Sequence, residues 1–261
     1  MNSGPDVAHN LGVAGQLLAD AAAAGALLAV LPENFALMGA READRLAVAE
    51  APGSGPIQDA LAELAQKLSL WIVAGTLPIR GRTPQRVAPA SIVFDANGKQ
   101  VARYDKIHLF DVDIPQKKES YRESATFEPG NEPIVVDTPV GRLGLSVCYD
   151  MRFPELYRRL SAAGAQLLAM PAAFTVPTGL AHWEVLLRAR AVENLCYVLA
   201  AAQWGLHANG RETYGDAMIV DYWGRVLARQ SAGAGVVVAE IDPVAQAGVR
   251  EGFPALKHRV L

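Results

Sequence analysis

The chain alternates short apolar runs with amphipathic helical patterns from one end to the other. In "SGPDVAHNLGVAGQLLADAAAAG" apolar residues recur at helical spacing through Leu11, Ala14, Leu18 and Ala21. Ser3 reads as the N-cap with Asp6 three residues on, and Gly25 closes the helix. "ALLAVLPENF" predicts a buried strand ending at Pro32. "GPIQDALAELAQKLSL" predicts a second helix, followed by the strand "WIVAGTLPI". "PASIVFDANGKQVARYDK" has the form of a β-hairpin turning at Asn97-Gly98, a pair that accepts the positive φ angles of a tight turn. Residues 107 to 131 are polar and without clear periodicity, and so long a loop in a compact domain is more often functional than idle.

The strands "PIVVDTPV" and "RLGLSV" lead to Cys148. Helix "PELYRRLSAAG", strand "AQLLAMPAAF", helix "AHWEVLLRARAVEN" and strand "CYVLAAAQ" come next. The hairpin "AMIVDYWGRVLA" and the strand "GVVVAEID" nearly finish the chain. This pattern predicts an α/β fold, and its hairpins exclude a purely parallel sheet. No linker or abrupt shift in composition divides the sequence, so a single domain over residues 1–261 is expected.

Hydrophobic residues make up 51% of the sequence and charged residues 20%, which supplies a substantial core and excludes global disorder. A net charge of −3 leaves no electrostatic footprint for nucleic acid or an acidic membrane, so neither partner is expected. No run approaches the roughly 18 apolar residues of a membrane span. The opening "MNSGPDVAHN" has neither the basic nor the apolar region of a signal peptide. Two cysteines make no disulfide framework, and a reducing cytoplasm is the expected compartment. "GSGPIQ" departs from the dinucleotide-binding pattern, and no glycine loop precedes Gly-Lys-Ser/Thr, so no cofactor is expected. His182 and Glu184 are two apart and do not share a helix face, so no metal is assigned.

Cys148 sits where an apolar strand gives way to a helix. A cysteine beside a strand is commonly a small buried hydrophobe, and Cys196 in "ENLCYVLA" fits that role. A strand end is also where backbone N–H groups can converge on a bound carbonyl, as a nucleophilic thiol needs. Such a thiol requires a base and an oxyanion stabiliser, and no histidine has a familiar thiol-protease setting. Glu33 and Lys106 each lie just past a strand. Taken singly, each is a charge leaving a sheet for water; taken together, three strand ends can meet in space.

"LPENF", "YDKIHLF" and "GLSVCYDMRFPEL" resemble the three signature segments of the nitrilase superfamily of carbon–nitrogen hydrolases, in the family order Glu, Lys, Cys. The resemblance covers nearly the whole chain. It implies a four-layer αββα sandwich, assembled as a homodimer or larger homo-oligomer. It also implies a small-molecule amide as substrate and catalytic roles for Glu33, Lys106 and Cys148. A fourth acidic residue is usual after the lysine, and in "YRESATFEPG" it is matched to Glu123 rather than Glu128. The implied chemistry has Glu33 taking the thiol proton and Cys148 attacking the carbonyl. Lys106 and the N–H of Tyr149 hold the oxyanion, and Glu123 orients Lys106. The segment "YVLAAAQWGLHANGRETYGDAMIVDYWGRVLA" is most similar to the branch acting on deaminated glutathione, which yields 2-oxoglutarate and cysteinylglycine. The ω-amidase branch, acting on 2-oxoglutaramate, is the alternative. Arg152 is the candidate for a keto-acid carboxylate, and Phe174 and Thr178 are candidates for the pocket lining.

The sequence departs from the family pattern at its start. Members begin with a strand of the type "VAVVQM", and here that first core strand is missing. Either the native chain starts upstream of Met1, the favoured expectation, or the encoded chain is truncated and impaired; an intact mass from the native source decides. An inactive scaffold or a redox-sensing thiol protein are the readings of other classes.

Overall fold

The first helix, α1 (Val7–Ala23), begins three residues later than a Ser3 cap requires. Asp6 is the N-cap, its carboxylate accepting the His9 N–H at 3.1 Å and so satisfying a first-turn donor. Ser3 is buried and differently engaged: its hydroxyl donates to the Phe35 carbonyl at 2.8 Å and accepts from Gln203 Nε2 at 2.7 Å. The computed structural model describes residues 1–41, 43–114 and 119–260. The remaining helices are α2 (Asp44–Ala47), α3 (Pro56–Leu68), α4 (Pro154–Ala162), α5 (Val176–Asn194) and α6 (Pro243–Gly252). Helix α5 opens five residues before "AHWEVLLRARAVEN", with Pro177 near its start, where the missing N–H costs nothing.

One sheet contains β1 (Leu28–Val30), β2 (Trp71–Val73), β3 (Leu77–Arg80), β4 (Val87–Phe94) and β5 (Gln100–Asp105). Strand β1 is parallel to β2, whereas β2, β3 and β5 all pair antiparallel with β4. Strands β1, β2 and β5 therefore run the same way, and the segments leaving the C-terminal ends of β1 and β5 emerge at one edge. The expected hairpin is β4–β5: Gly98 takes φ +79°, and Asp95 accepts the N–H groups of Asn97 and Lys99, each at 2.9 Å. "WIVAGTLPI" is two strands, not one, because Gly75 turns the backbone with φ +49°.

Residues 107–131 include a two-stranded ribbon, β6 (Asp111–Ile114) with β7 (Glu119–Arg122), and a short 3-10 turn at Glu123–Ala125. In β6 Val112 and Ile114 share one face, but the alternation lasts only four residues, too short to stand out in a polar stretch. The second sheet contains β8 (Val135–Thr138), β9 (Gly141–Leu145), β10 (Leu167–Ala172), β11 (Tyr197–Ala202), β14 (Ala217–Val220) and β15 (Val226–Gln230). Within it β9, β10 and β11 are parallel, with Leu167 opposite Tyr197 and Ala172 opposite Ala202. A second ribbon, β12 (Trp204–Leu206) with β13 (Glu212–Tyr214), comes after β11.

The layers are α1 and α3, the first sheet, the second sheet, then α4 and α5. One apolar cluster joins Leu18, Leu61 and Ile92; the other joins Val73 and Tyr104 to Leu145, Leu168 and Trp183 across the sheets. This is the four-layer αββα sandwich that the resemblance implied.

Two expected strands differ from their reading. Leu28–Val30 is half-buried rather than buried, and residues 235–242 form no ladder among the described residues. Both border an apolar cavity of about 340 Å³, also lined by Met1, Leu199 and Ile219. Strand β1 pairs with β2 on one side only, so its other edge faces this slot.

Candidate active site

The direction of the strands sets the site. Parallel β9, β10 and β11 deliver Cys148, Ala173 and Gln203 to one edge of the second sheet, where β1 and β5 deliver Glu33 and Lys106 from the first. Gly75 sets the approach of the Glu33 segment. A Cβ there would lie 2.0 Å from the Pro32 carbonyl oxygen, so only glycine lets the two chains come this close. Thr76 Oγ1 then accepts the Asn34 N–H at 2.8 Å, and Gln203 Nε2 donates to the Glu33 carbonyl at 3.1 Å.

Glu33 and Lys106 are both buried, and their side chains meet: Lys106 Nζ donates to Glu33 Oε1 at 2.8 Å. The same ammonium donates to both oxygens of Glu123, at 2.9 and 3.1 Å. Backbone donors fix both carboxylates as well: the Ala173 N–H donates to Glu33 Oε2 at 3.0 Å and the Phe110 N–H to Glu123 Oε2 at 2.8 Å. Glu128 stands apart and accepts from the Arg82 N–H.

Cys148 begins a 3-10 turn, Cys148–Arg152, with φ +48°, a left-handed conformation uncommon for a residue with a side chain. Two buried partners hold the approach: Ser146 donates to the Ala169 carbonyl at 2.7 Å, and Tyr157 donates to Ser146 at 3.0 Å. Asp150 holds the turn itself. Its fully buried carboxylate accepts from Val147 N at 2.8 Å, Tyr104 OH at 2.6 Å and His108 N at 3.0 Å, with His108 Nδ1 at 2.7 Å. Asp150 thus ties the turn bearing Cys148 to the segment after Lys106. Asp150→Asn removes the charge from these hydrogen bonds. It is expected to lower stability by about 2 kcal/mol and kcat by about tenfold; urea unfolding and steady-state kinetics check this.

The electrostatics assign the protons. Burial pushes the Glu33 carboxyl up, but the Lys106 charge and hydrogen bond outweigh it, with Cys148 and Arg211 adding to the effect, and hold it below the ordinary glutamate value. Burial disfavours the Lys106 ammonium, yet Glu123 and Glu33 reverse this and raise its proton affinity above that of a free lysine. Burial and the Glu33 charge push the Cys148 thiol well above the usual range. These directions favour a carboxylate, an ammonium and a protonated thiol in the resting site. Cys196 shows what an ordinary buried cysteine looks like. Its thiol is pushed up to about 12, mainly by burial, and donates to the Ala165 carbonyl at 3.2 Å.

A narrow cavity opens over Cys148. Glu33, Glu123, Tyr149, Arg152, Phe174 and Thr178 line it, and Lys106 pairs with the first two. Phe174 packs on Trp183, with centroids 5.1 Å apart, and Thr178 shares a hydrogen bond with Thr175, Oγ1 to Oγ1, at 2.8 Å. His182 lies beside Arg152, and Glu184 pairs with Arg188 and Arg229. Among the described residues no cluster of three or more His, Cys, Asp or Glu is placed to hold a metal.

Sequence reasoning missed Asp150, Ala173 and Arg211. Asp150 lies inside the "CYDMRF" segment, where a charge two residues past a buried cysteine was a readable signal. Ala173 acts through its backbone and gives none. Arg211 also lines the cavity, from the turn joining β12 to β13.

The carbon-nitrogen hydrolase family model matches residues 1–250. The deaminated glutathione amidase of Synechocystis sp. is 45% identical over 264 residues, covering 100% of this chain and 96% of that protein. Among solved structures, the Caenorhabditis elegans NitFhit protein gives a TM-score of 0.89 at 40% identity, covering 100% of this chain and 63% of that chain, so this chain spans less than two thirds of it. An amidase from Nesterenkonia sp., solved as a mutant after Michael addition of acrylamide at its active site cysteine, gives a TM-score of 0.79 at 28% identity, covering 97% of this chain and 95% of that one. With this geometry and these similarities, the chain belongs to the carbon–nitrogen hydrolase family, within the nitrilase superfamily.

Proposed function

We propose that this hydrolase is a thiol-dependent amidase that cleaves deaminated glutathione to 2-oxoglutarate and cysteinylglycine. One observation carries the mechanism: Glu33 and Cys148 line one cavity, and Lys106 Nζ donates to the Glu33 carboxylate at 2.8 Å. Glu33 accepts the thiol proton as Sγ bonds to the amide carbon. The oxyanion faces Lys106 Nζ and the Tyr149 N–H, donors fixed before the reaction starts. Collapse breaks the C–N bond, and the amine leaves with the proton held by Glu33. The thioester on Cys148 then meets water, whose proton passes to Glu33 as oxygen bonds to the acyl carbon. Breaking of the C–S bond returns that proton to the thiol and releases the acid.

Substrate choice rests on relatives. A protein 45% identical over the whole chain is a deaminated glutathione amidase. Two guanidinium groups, Arg152 and Arg211, line the cavity and suit a carboxylate-bearing substrate. The test is release of 2-oxoglutarate from deaminated glutathione and from 2-oxoglutaramate. A higher kcat/KM on the former is expected. Preference for 2-oxoglutaramate makes the protein an ω-amidase. No turnover, with Cys148 no more reactive than a free thiol, makes it a scaffold.

The base sets the pH profile. Activity needs ionised Glu33, whose carboxyl titrates below its ordinary value, so kcat/KM is present above that pKa and lost as pH falls through it. The acid limb is therefore expected below about pH 4.3. No rise is expected near the ordinary thiol value of about 8.5, because the thiol proton moves only during turnover. A pH–rate profile checks both expectations.

A homodimer in the cytoplasm completes the proposal. Leu180 and Val185 on α5 are 71% and 61% exposed, as a helix face that pairs with a second copy would be. No helix among the described residues is long and apolar enough to cross a membrane.

A further inference from the structure

The two guanidinium groups at the cavity differ in what already engages them. Arg152 Nη1 lies 3.2 Å from His182 Nδ1, and its guanidinium covers the rings of Tyr149 and Phe174, at 5.8 and 5.5 Å from their centroids. Arg211 donates from Nη2 to the Ala173 carbonyl at 2.5 Å and lies 5.1 Å from the Tyr121 centroid. Its Nε is shut off from solvent and has no hydrogen-bond acceptor among the described residues. An arginine stays charged, and a buried N–H left unpaired is unfavourable, so this group calls for an anionic acceptor.

The turn that carries Arg211 holds it in place before any ligand arrives. Asn209 Oδ1 accepts the Arg211 N–H at 3.0 Å, the Arg211 carbonyl accepts from His207 N at 2.8 Å, and Asn209 Nδ2 donates to the Gly39 carbonyl at 2.8 Å. Ala173 then links Arg211 to the base, with its carbonyl on the guanidinium and its N–H on Glu33. In a thioester mechanism the amine half must leave to water, whereas the acyl half stays beside Cys148. A guanidinium that lines the cavity and is bonded to Ala173, the residue anchoring Glu33, fits the half that stays.

We infer that Arg211 binds the carboxylate of the substrate's acyl half and is a specificity-determining residue of this site. The inference rests on the amidase reading above and identifies which cation selects a carboxylate-bearing acyl group.

The probe is 2-oxoglutarate, titrated calorimetrically against wild-type, R211Q, R211K and R152Q proteins. R211Q is expected to weaken binding by about 10- to 100-fold, the range of charge-assisted hydrogen bonds. R211K, which keeps the charge but loses the fork, should weaken it less, and R152Q less than R211Q. With deaminated glutathione, R211Q should raise KM by a similar factor while kcat changes by less than about threefold. Unchanged binding in R211Q, or no binding to wild type, overturns the inference. So does a loss confined to kcat, which would make Arg211 a support for Ala173 and Glu33. Failure of the amidase reading is visible separately, as absence of hydrolysis by wild type, and the binding ratios still decide Arg211.

Discussion

Replacing Cys148 by alanine is expected to lower kcat for amide hydrolysis by about 10⁴-fold or more while leaving the fold intact. The substitution removes one sulfur from a residue that is 7% exposed, and alanine tolerates φ +48° about as well as cysteine does. The change in stability should therefore stay within about 1 kcal/mol. What disappears is the proposed nucleophile. Glu33, Lys106 and Glu123 remain paired, so the variant should still bind the substrate. Cys196→Ala gives the contrast: its sulfur packs among Ala165, Asn194 and Arg250, away from the cavity, and activity should be retained. Steady-state kinetics with thermal unfolding of both variants measures the pair of effects. A Cys148→Ala protein that keeps more than a hundredth of wild-type kcat would remove the thiol from the mechanism.

Lys106→Met is expected to cost about 3–5 kcal/mol of stability at neutral pH, the effect of leaving a buried charge without its partner. Two carboxylates share this ammonium, with Glu33 at 2.8 Å and Glu123 at 2.9 Å, and Lys106 is 1% exposed. Methionine fills similar volume without the charge. Glu33 would then keep burial, which raises its pKa, and lose the cation that lowers it. This fixes the sign of the pH dependence. With its folded pKa raised above the unfolded value, Glu33 takes up a proton on folding, so the variant's stability rises as pH falls. The deficit relative to wild type should thus shrink between pH 8 and pH 5. In wild type the folded pKa of Glu33 is depressed, so its pairing stabilises above the unfolded carboxylate value and is lost as pH falls through the folded one. Urea titrations at both pH values test this, and a deficit independent of pH would contradict it. Loss of kcat should accompany the change, since one oxyanion donor is worth about 3–4 kcal/mol in comparable sites.

Local pattern carried much of the fold. The 3.6-residue period of α1 and α3, the Asn97-Gly98 turn and the alternation of runs around Cys148 are all set by neighbours in sequence. What failed depended on distant partners. Ser3 has the chemistry of a helix cap, but Gln203 and Phe35 claim it, 200 and 32 residues away. "WIVAGTLPI" is apolar throughout, and only the approach of the Pro32 carbonyl shows why Gly75 must break it. "GVVVAEID" has every local property of a strand, yet it forms no ladder among the described residues.

The site shows the same division. The three strand ends were visible as charges and a thiol beside apolar runs, whereas their meeting in space depends on the parallel directions of β1 and β5 and of β9, β10 and β11. Family resemblance supplied the match to Glu123, because a polar stretch with no period offers no physical reason to prefer it over Glu128. The groups that orient the reacting residues were harder to find. Ala173 contributes a backbone N–H, Arg211 lies in a turn, and Asp150 acts on backbone groups from two segments. None of these roles has a sequence period.

The most direct measurement is the mass of the enzyme quenched in acid during turnover of deaminated glutathione, followed by peptide mapping. The account predicts a fraction of the protein heavier by one 2-oxoglutaryl group, with the adduct on the Cys148 peptide and none in Cys148→Ala. An adduct on another residue, or steady turnover with no covalent species at any quench time and unchanged hydrolysis in Cys148→Ala, would contradict a thioester at Cys148.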